Sequence, residues 1–319
     1  MERFIKKTIW FILPFPLIII FIIIFGLMLP TTPRASMSLL MSAIQKDSLL
    51  QNTPSPRIIF IGGSNLSFGL NSQIIKDSLK LNPINTAIHA SIGIKYMLEN
   101  TLKYIKKGDV VLLVPEYSHY YRDTDCASEE LMRTIFDVDI TRINLLNANQ
   151  LLNIMPFLPK YALSKFKIKE YLNIEESDVY SVNSFNIFGD TYTHWEMQKQ
   201  EFQPYEQIKE QLNYETIILI KKFYKDIKQK EAILLISYPC YQATSFDNSI
   251  NQIQKVEQLL EESELPIIGT ANRYKIPEYL MFNTPYHLNK KGVDYRTKLL
   301  IEDVKKAKSL NQIKQNDLN

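Results

Sequence analysis

The chain has 319 residues, 45% of them hydrophobic and 22% charged, with nine glycines and a formal net charge of +3. That balance belongs to a folded globular protein; it excludes a disordered or fibrous chain and lacks the basic excess of a nucleic-acid binder. The length admits one α/β domain with an insertion, or two average domains.

Thr8–Leu29 carries no charge and is dominated by Ile, Phe and Leu. As a helix rising about 1.5 Å per residue it covers roughly 33 Å, enough to cross a bilayer. Pro14 and Pro16 predict a bend near its start. A cleaved signal peptide is the competing reading, but the run exceeds the usual apolar segment and Pro30-Thr31-Thr32-Pro33 is a poor cleavage site. Arg3, Lys6 and Lys7 precede the span and only Arg34 follows it closely, which predicts a cytoplasmic N-terminus with the remaining residues outside. The part beyond residue 30 is close to neutral. Two cysteines are too few for a disulfide scaffold, although export would permit one Cys126–Cys240 bond if the fold brought them together. His89, His119, His194 and His287 are too scattered for a metal site, so neither metal nor cofactor is expected.

Residues 31–56, bounded by prolines, read as a stalk. The domain follows over 57–319. Ile58–Ile61 is a continuous apolar run suited to a central parallel strand, ended by Gly62-Gly63. Leu70, Ile74, Ile75 and Leu79 predict a helix capped by Asn71 or Ser72, and 83–88 the next strand. Met97, Leu98, Thr101, Leu102 and Ile105 predict a second helix, closed by Lys106-Lys107-Gly108, before an apolar strand at Val110–Val114. Residues 123–205 break the alternation and read as an inserted, partly helical cap. Helices are then predicted at 208–227, 250–260 and 293–304, and strands at 232–237 and 265–268. Such alternation implies a parallel sheet flanked by helices.

Gly62-Gly63-Ser64-Asn65 places a serine hydroxyl at the carboxyl edge of the sheet, where ligands bind and turn amides can stabilise an oxyanion. Taken alone it could equally be a glycine turn with a capping serine. Tyr286-His287-Leu288-Asn289 precedes the final helix, at a loop able to return to the same edge, where an imidazole can activate Ser64. Singly, His287 could also cap or pack. His89 and His119 follow predicted strands and are candidates for the cleft or for hydrogen-bonded edge positions. Asn186–His194 is a polar, aromatic stretch that reads either as a surface loop or as a cover over the site.

The strand-terminal Gly-x-Ser near the start and His-x-Asn-x-x-Gly before the last helix resemble the SGNH (GDSL-like) hydrolase superfamily. Ile59–Gly69, His89–Gly93, Pro115-Glu116-Tyr117 and Phe282–Gly292 are similar to its membrane-anchored members in bacterial envelopes. The resemblance implies a flavodoxin-like parallel sheet and a serine esterase or O-acyltransferase. Ser64 would be the nucleophile, the Ser64 and Gly93 amides the oxyanion donors and His287 the base. It further implies an envelope glycan as substrate and a multi-pass membrane acyltransferase as partner. Beside it, Glu116, Asn65, His89, Asp190 and His194 are candidate substrate contacts. The chain departs from the pattern in two places. Pro115-Glu116-Tyr117 lacks the oxyanion asparagine, and the usual aspartate three residues before the histidine is Thr284, leaving Asn283 as the third triad candidate. These departures motivate an alternative, a glycan-binding or scaffold protein that has lost catalysis; a lipase-like enzyme is a third reading.

Overall fold

The computed structural model describes residues 1–125, 127–172 and 174–316, with side chains through Ala307. Cys126 lies outside these residues, and so does the expected option of a Cys126–Cys240 bond.

The N-terminus forms α1 (Glu2–Ile12) and α2 (Pro14–Met28), broken at the first proline, as a proline lacking its N–H predicts. Together they make one helical segment long and apolar enough to cross a membrane. The segment expected as a stalk instead packs on the body. Its helix α3 (Ser42–Asn52) buries Ala43, Lys46 and Leu50. The Lys46 ammonium donates to Asn85 O at 2.9 Å and Gly189 O at 2.6 Å. Satisfying that buried charge fastens the segment to both the sheet and the insertion.

The sheet is built from β1 (Arg57–Gly62), β2 (Asn82–Asn85), β3 (Val110–Val114) and β4 (Ile233–Ile236), all parallel, in the order β2-β1-β3-β4. Every β1 and β3 residue is buried, which is why Ile58–Ile61 and Val110–Val114 read as unbroken apolar runs. Between them lie α4 (Ser72–Leu79), whose Asn71 cap accepts from Ile74 N, and α5 (Ile94–Leu102). In the insertion, α6 (Ala148–Ile154) and α7 (Leu158–Ser164) are short helices among turns. The chain closes through α8 (Glu215–Gln229), a two-residue β5 (Tyr241–Gln242), α9 (Ile250–Glu261), β6 (Lys275–Ile276), which pairs with β5, and α10 (Lys290–Asn316). The molecule is thus α/β, with a parallel sheet flanked by helices and one N-terminal apolar helical segment.

Two expected elements differ. Residues 265–268 contribute a single parallel bridge, Ile236 to Ile267, rather than a strand. The helix expected from 208 begins only at Glu215, because the preceding residues form no regular element and bond outward: Tyr205 N donates to Ser245 Oγ and Ile208 N to Ser249 Oγ.

At the amino end of the sheet Arg57 and Asp109 form a fully buried ion pair. Arg57 Nε reaches Asp109 Oδ1 at 2.8 Å, and its other nitrogens donate to Leu50 O and Tyr104 O. Removing one charge strands the other in the core. Asp109→Ala is expected to cost about 3–5 kcal/mol in denaturant unfolding of the chain in detergent, and Arg57→Met with Asp109→Leu to recover most of it. Equal stability of the Asp109→Ala chain and the parent would contradict this.

Candidate active site

β1 ends at Gly62, and the chain turns through Gly63 into the single helical turn Ser64–Ser67. A Cβ on Gly62 would stand 2.6 Å from Val114 O, and one on Gly63 2.5 Å from Glu116 Oε1 and 2.8 Å from Ala90 Cβ. Close approach of the β3 exit and the 88–93 loop therefore requires both glycines. Ser64 emerges at the carboxyl edge with 9% exposure. Its amide, at the first position of a helical turn, has no intrahelical acceptor.

The β3 exit places Glu116 across this turn. Glu116 Oε1 accepts from Asn65 N at 3.1 Å, Asn65 Nδ2 at 3.3 Å and, weakly, Ser64 Oγ at 3.4 Å. His119 holds the carboxylate's backbone: its Nδ1 accepts from Glu116 N at 3.0 Å, and its Nε2 lies 3.1 Å from Ala90 O. Those two bonds require a neutral ring with the proton on Nε2. Burial favours that state by lowering the His119 pKa, against the opposing charge of Glu116. His119 is accordingly a buried tie between two loops.

His287 reaches the same edge from the loop before α10. Leu288 N donates to Phe68 O, and the imidazole stacks on Phe68 at 4.1 Å between centroids. Nδ1 lies 2.9 Å from Asn283 Oδ1. Asn283 Nδ2 donates to Tyr180 Oη at 2.8 Å and Gln200 Oε1 at 3.4 Å. With its NH2 thus engaged, the amide presents oxygen to the ring, so Nδ1 carries the proton and Nε2 the lone pair. Ser64 and His287 line one cleft, but the Ser64 hydroxyl's partner is Glu116, and no direct Ser64–His287 bond forms.

Burial, helped by His194 and His89, pushes the His287 pKa down to about 3. The unfolded chain takes up a proton below about pH 6.5, whereas the folded ring stays neutral until about pH 3, so stability falls as pH falls through that window. The loss is about 1.4 kcal/mol per unit. Between pH 6.5 and 5, His287→Gln is expected to flatten the decline in unfolding free energy by about 2 kcal/mol. Parallel declines in parent and variant would contradict it.

The cleft measures about 520 Å3. Its walls are aromatic, with Phe68, Tyr121, Tyr180, Tyr205, Tyr241 and Tyr286; Glu116, Glu206, Glu210, Arg122 and His89 supply polar groups. His89 Nδ1 accepts from Ser91 N, so the neutral ring carries its proton on Nε2 as a donor. Tyr121, Arg122, Tyr180 and Tyr205 were not singled out from sequence. The tyrosine richness of 123–205 is the one signal for Tyr180 and Tyr205, whereas Tyr121 and Arg122 lie just before that stretch and carry none.

Four expected site residues stand elsewhere. Gly93, at φ +90°, completes a turn in which its amide donates to Ala90 O at 3.0 Å, so it is engaged rather than offered to an oxyanion. Asn65 is fully buried against Glu116. Asp190 is fully buried, accepting from Ser72 N, Ser72 Oγ, Asn85 Nδ2 and Asn186 Nδ2. Those four donors make it a structural knot that joins α4, β2 and the insertion. His194 is also fully buried, bonded to Leu288 O at 3.0 Å and packed on Phe68 and Phe282; burial lowers its pKa to about 4. It supports the His287 loop from behind.

No known family model matches the chain, and no curated protein matches it significantly.

Proposed function

We propose that the chain is a membrane-anchored serine esterase or O-acyltransferase of the SGNH type that acts on acyl esters of an envelope polysaccharide. The observation that carries this reading is that Ser64 and His287 line one cleft, with the ring held by Asn283 in the tautomer a general base requires. Ser64 Oγ attacks the ester carbonyl while its proton passes to His287 Nε2. Collapse of the tetrahedral intermediate expels the alcohol, which takes that proton, and leaves the acyl group on Ser64. Water, or a glycan hydroxyl, then attacks the acyl-enzyme and gives its proton to His287, which returns it to Ser64 Oγ as the acyl–Ser64 bond breaks and the acid or new ester departs. Asn283 orients the ring but adds no charge to stabilise imidazolium, so turnover is slow. The tyrosine walls offer stacking faces to sugar rings. The helical segment at the N-terminus would hold the chain as a single-pass protein of a bacterial cytoplasmic membrane, N-terminus inside and catalytic domain outside. A multi-pass acyltransferase as donor partner belongs to the same proposal.

A second reading, a non-catalytic glycan-binding protein, is favoured by the carboxylate of Glu116 beside Ser64 and by the engaged Gly93 amide. Turnover of acetylated oligosaccharides by the full chain in detergent separates the two. Acetate release well above that of Ser64→Ala supports the enzyme, and equal rates together with retained glycan binding support the binding protein.

A further inference from the structure

The C-terminal end of α2 does not leave the body freely. Gly26 packs so closely on α7 that a Cβ there would stand 2.5 Å from Ala162 O, and Phe25 stacks on Phe166 with centroids 6.2 Å apart. The exit is clamped beyond that point. Lys165 Nζ donates to Pro30 O at 3.2 Å, Thr31 Oγ1 to Asp137 O at 2.8 Å, Thr32 Oγ1 to Glu170 Oε2 at 3.1 Å and Arg34 Nε to Lys169 O at 2.9 Å. The Lys165 ammonium is itself buried on Asp137.

Phe25 and Gly26 lie within the charge-free run that ends at Leu29, about one helical turn, or roughly 5 Å, inside its end. Whatever packs beside them shares their depth. Yet this part of the insertion exposes large apolar side chains: Leu163 by 48%, Phe166 by 47% and Ile168 by 74%. Lys167 and Lys169, both exposed, flank Ile168. Apolar side chains next to a spanning helix, edged by lysines that can extend to headgroups, match the layered chemistry of a membrane interface.

We propose that Leu163, Phe166 and Ile168 form a lipid-facing collar seated in the interfacial layer of the membrane that α2 crosses, with the lysines against anionic headgroups. The inference rests on α2 spanning a membrane and is independent of the catalytic reading. The collar and the clamped exit together hold the cleft at a set height and tilt over the bilayer, in place of a swinging stalk.

Nitroxide labels on Leu163→Cys, Ile168→Cys, Ile20→Cys and Tyr279→Cys test this, each in the full chain carrying Cys126→Ser and reconstituted in phosphatidylethanolamine–phosphatidylglycerol vesicles. Positions 163 and 168 are expected to resemble position 20, colliding several-fold more with oxygen than with a water-soluble nickel chelate, whereas position 279, on an exposed tyrosine, reverses the ratio. Labels at 163 and 168 that behave like 279 while 20 remains in lipid would overturn the collar. Shielding of 163 and 168 from both reagents would also overturn it, since protein and not lipid would then cover them. A water-exposed label at position 20 would remove the spanning premise itself, a result distinct from the other two.

Discussion

Replacing Ser64 by alanine is expected to lower ester turnover by at least about 10²-fold while leaving the fold intact. In a complete triad the loss of the serine costs about 10⁶ in turnover. Substituting an amide for the triad acid removes about 10⁴, chiefly because the wrong tautomer is stabilised. Here the pinning of Asn283 Nδ2 by Tyr180 and Gln200 keeps its oxygen on the ring, so the tautomer is preserved and only the charge is missing. The serine's contribution therefore lies between about 10², the quotient of the two figures, and about 10⁶. His287→Ala should show a similar loss, and the double variant little more, because the two act as a unit. Steady-state hydrolysis of a small acetyl ester by the full chain reads all three. An additive loss in the double variant would mean that the hydroxyl and the imidazole do not cooperate.

The second large effect is a gain. Glu116→Gln is expected to raise turnover by about 10²-fold, the lower end of what one oxyanion donor is worth. As found, the Glu116 carboxylate accepts from the Asn65 amide and touches Ser64 Oγ, so a negative charge stands beside the place where an oxyanion would develop. Glutamine keeps the shape, can still accept from Asn65 N through its oxygen, and brings an NH2 donor in place of the repelling charge. His119, which holds the backbone of residue 116, is untouched. A fall in activity would give Glu116 a different role, that of the group taking the Ser64 proton.

The strands at 58–61 and 110–114 are legible because burial on both faces demands unbroken apolar runs, and the start of α4 because a polar cap leaves a local signature, which offers Asn71 or Ser72 and falls to Asn71. Asn283 is a candidate only through the resemblance, which seeks a polar partner shortly before the histidine, and its oxygen stands 2.9 Å from His287 Nδ1. The errors share one cause, long-range partners that local pattern does not carry. Lys46 falls in the proline-bounded segment that reads as a stalk, yet its acceptors lie on β2 and in the insertion. Asp190 and His194 sit in a stretch polar enough for a surface loop, but donors from Ser72 and Asn85 and the carbonyl of Leu288 draw them inward. Residues 208–214 have helical spacing, but serines on the 243–249 stretch capture backbone amides at 205 and 208, and residues 205–208 help to line the cleft instead. Gly93 has the positive φ of a special turn, and that turn engages its amide.

The most direct measurement is intact-mass and peptide mapping of the full chain in detergent after treatment with a fluorophosphonate, at neutral pH where His287 is unprotonated. The account predicts a single adduct on Ser64 that disappears in Ser64→Ala and is slowed in His287→Ala. Absence of any adduct on Ser64, from a chain that still unfolds cooperatively, would contradict it.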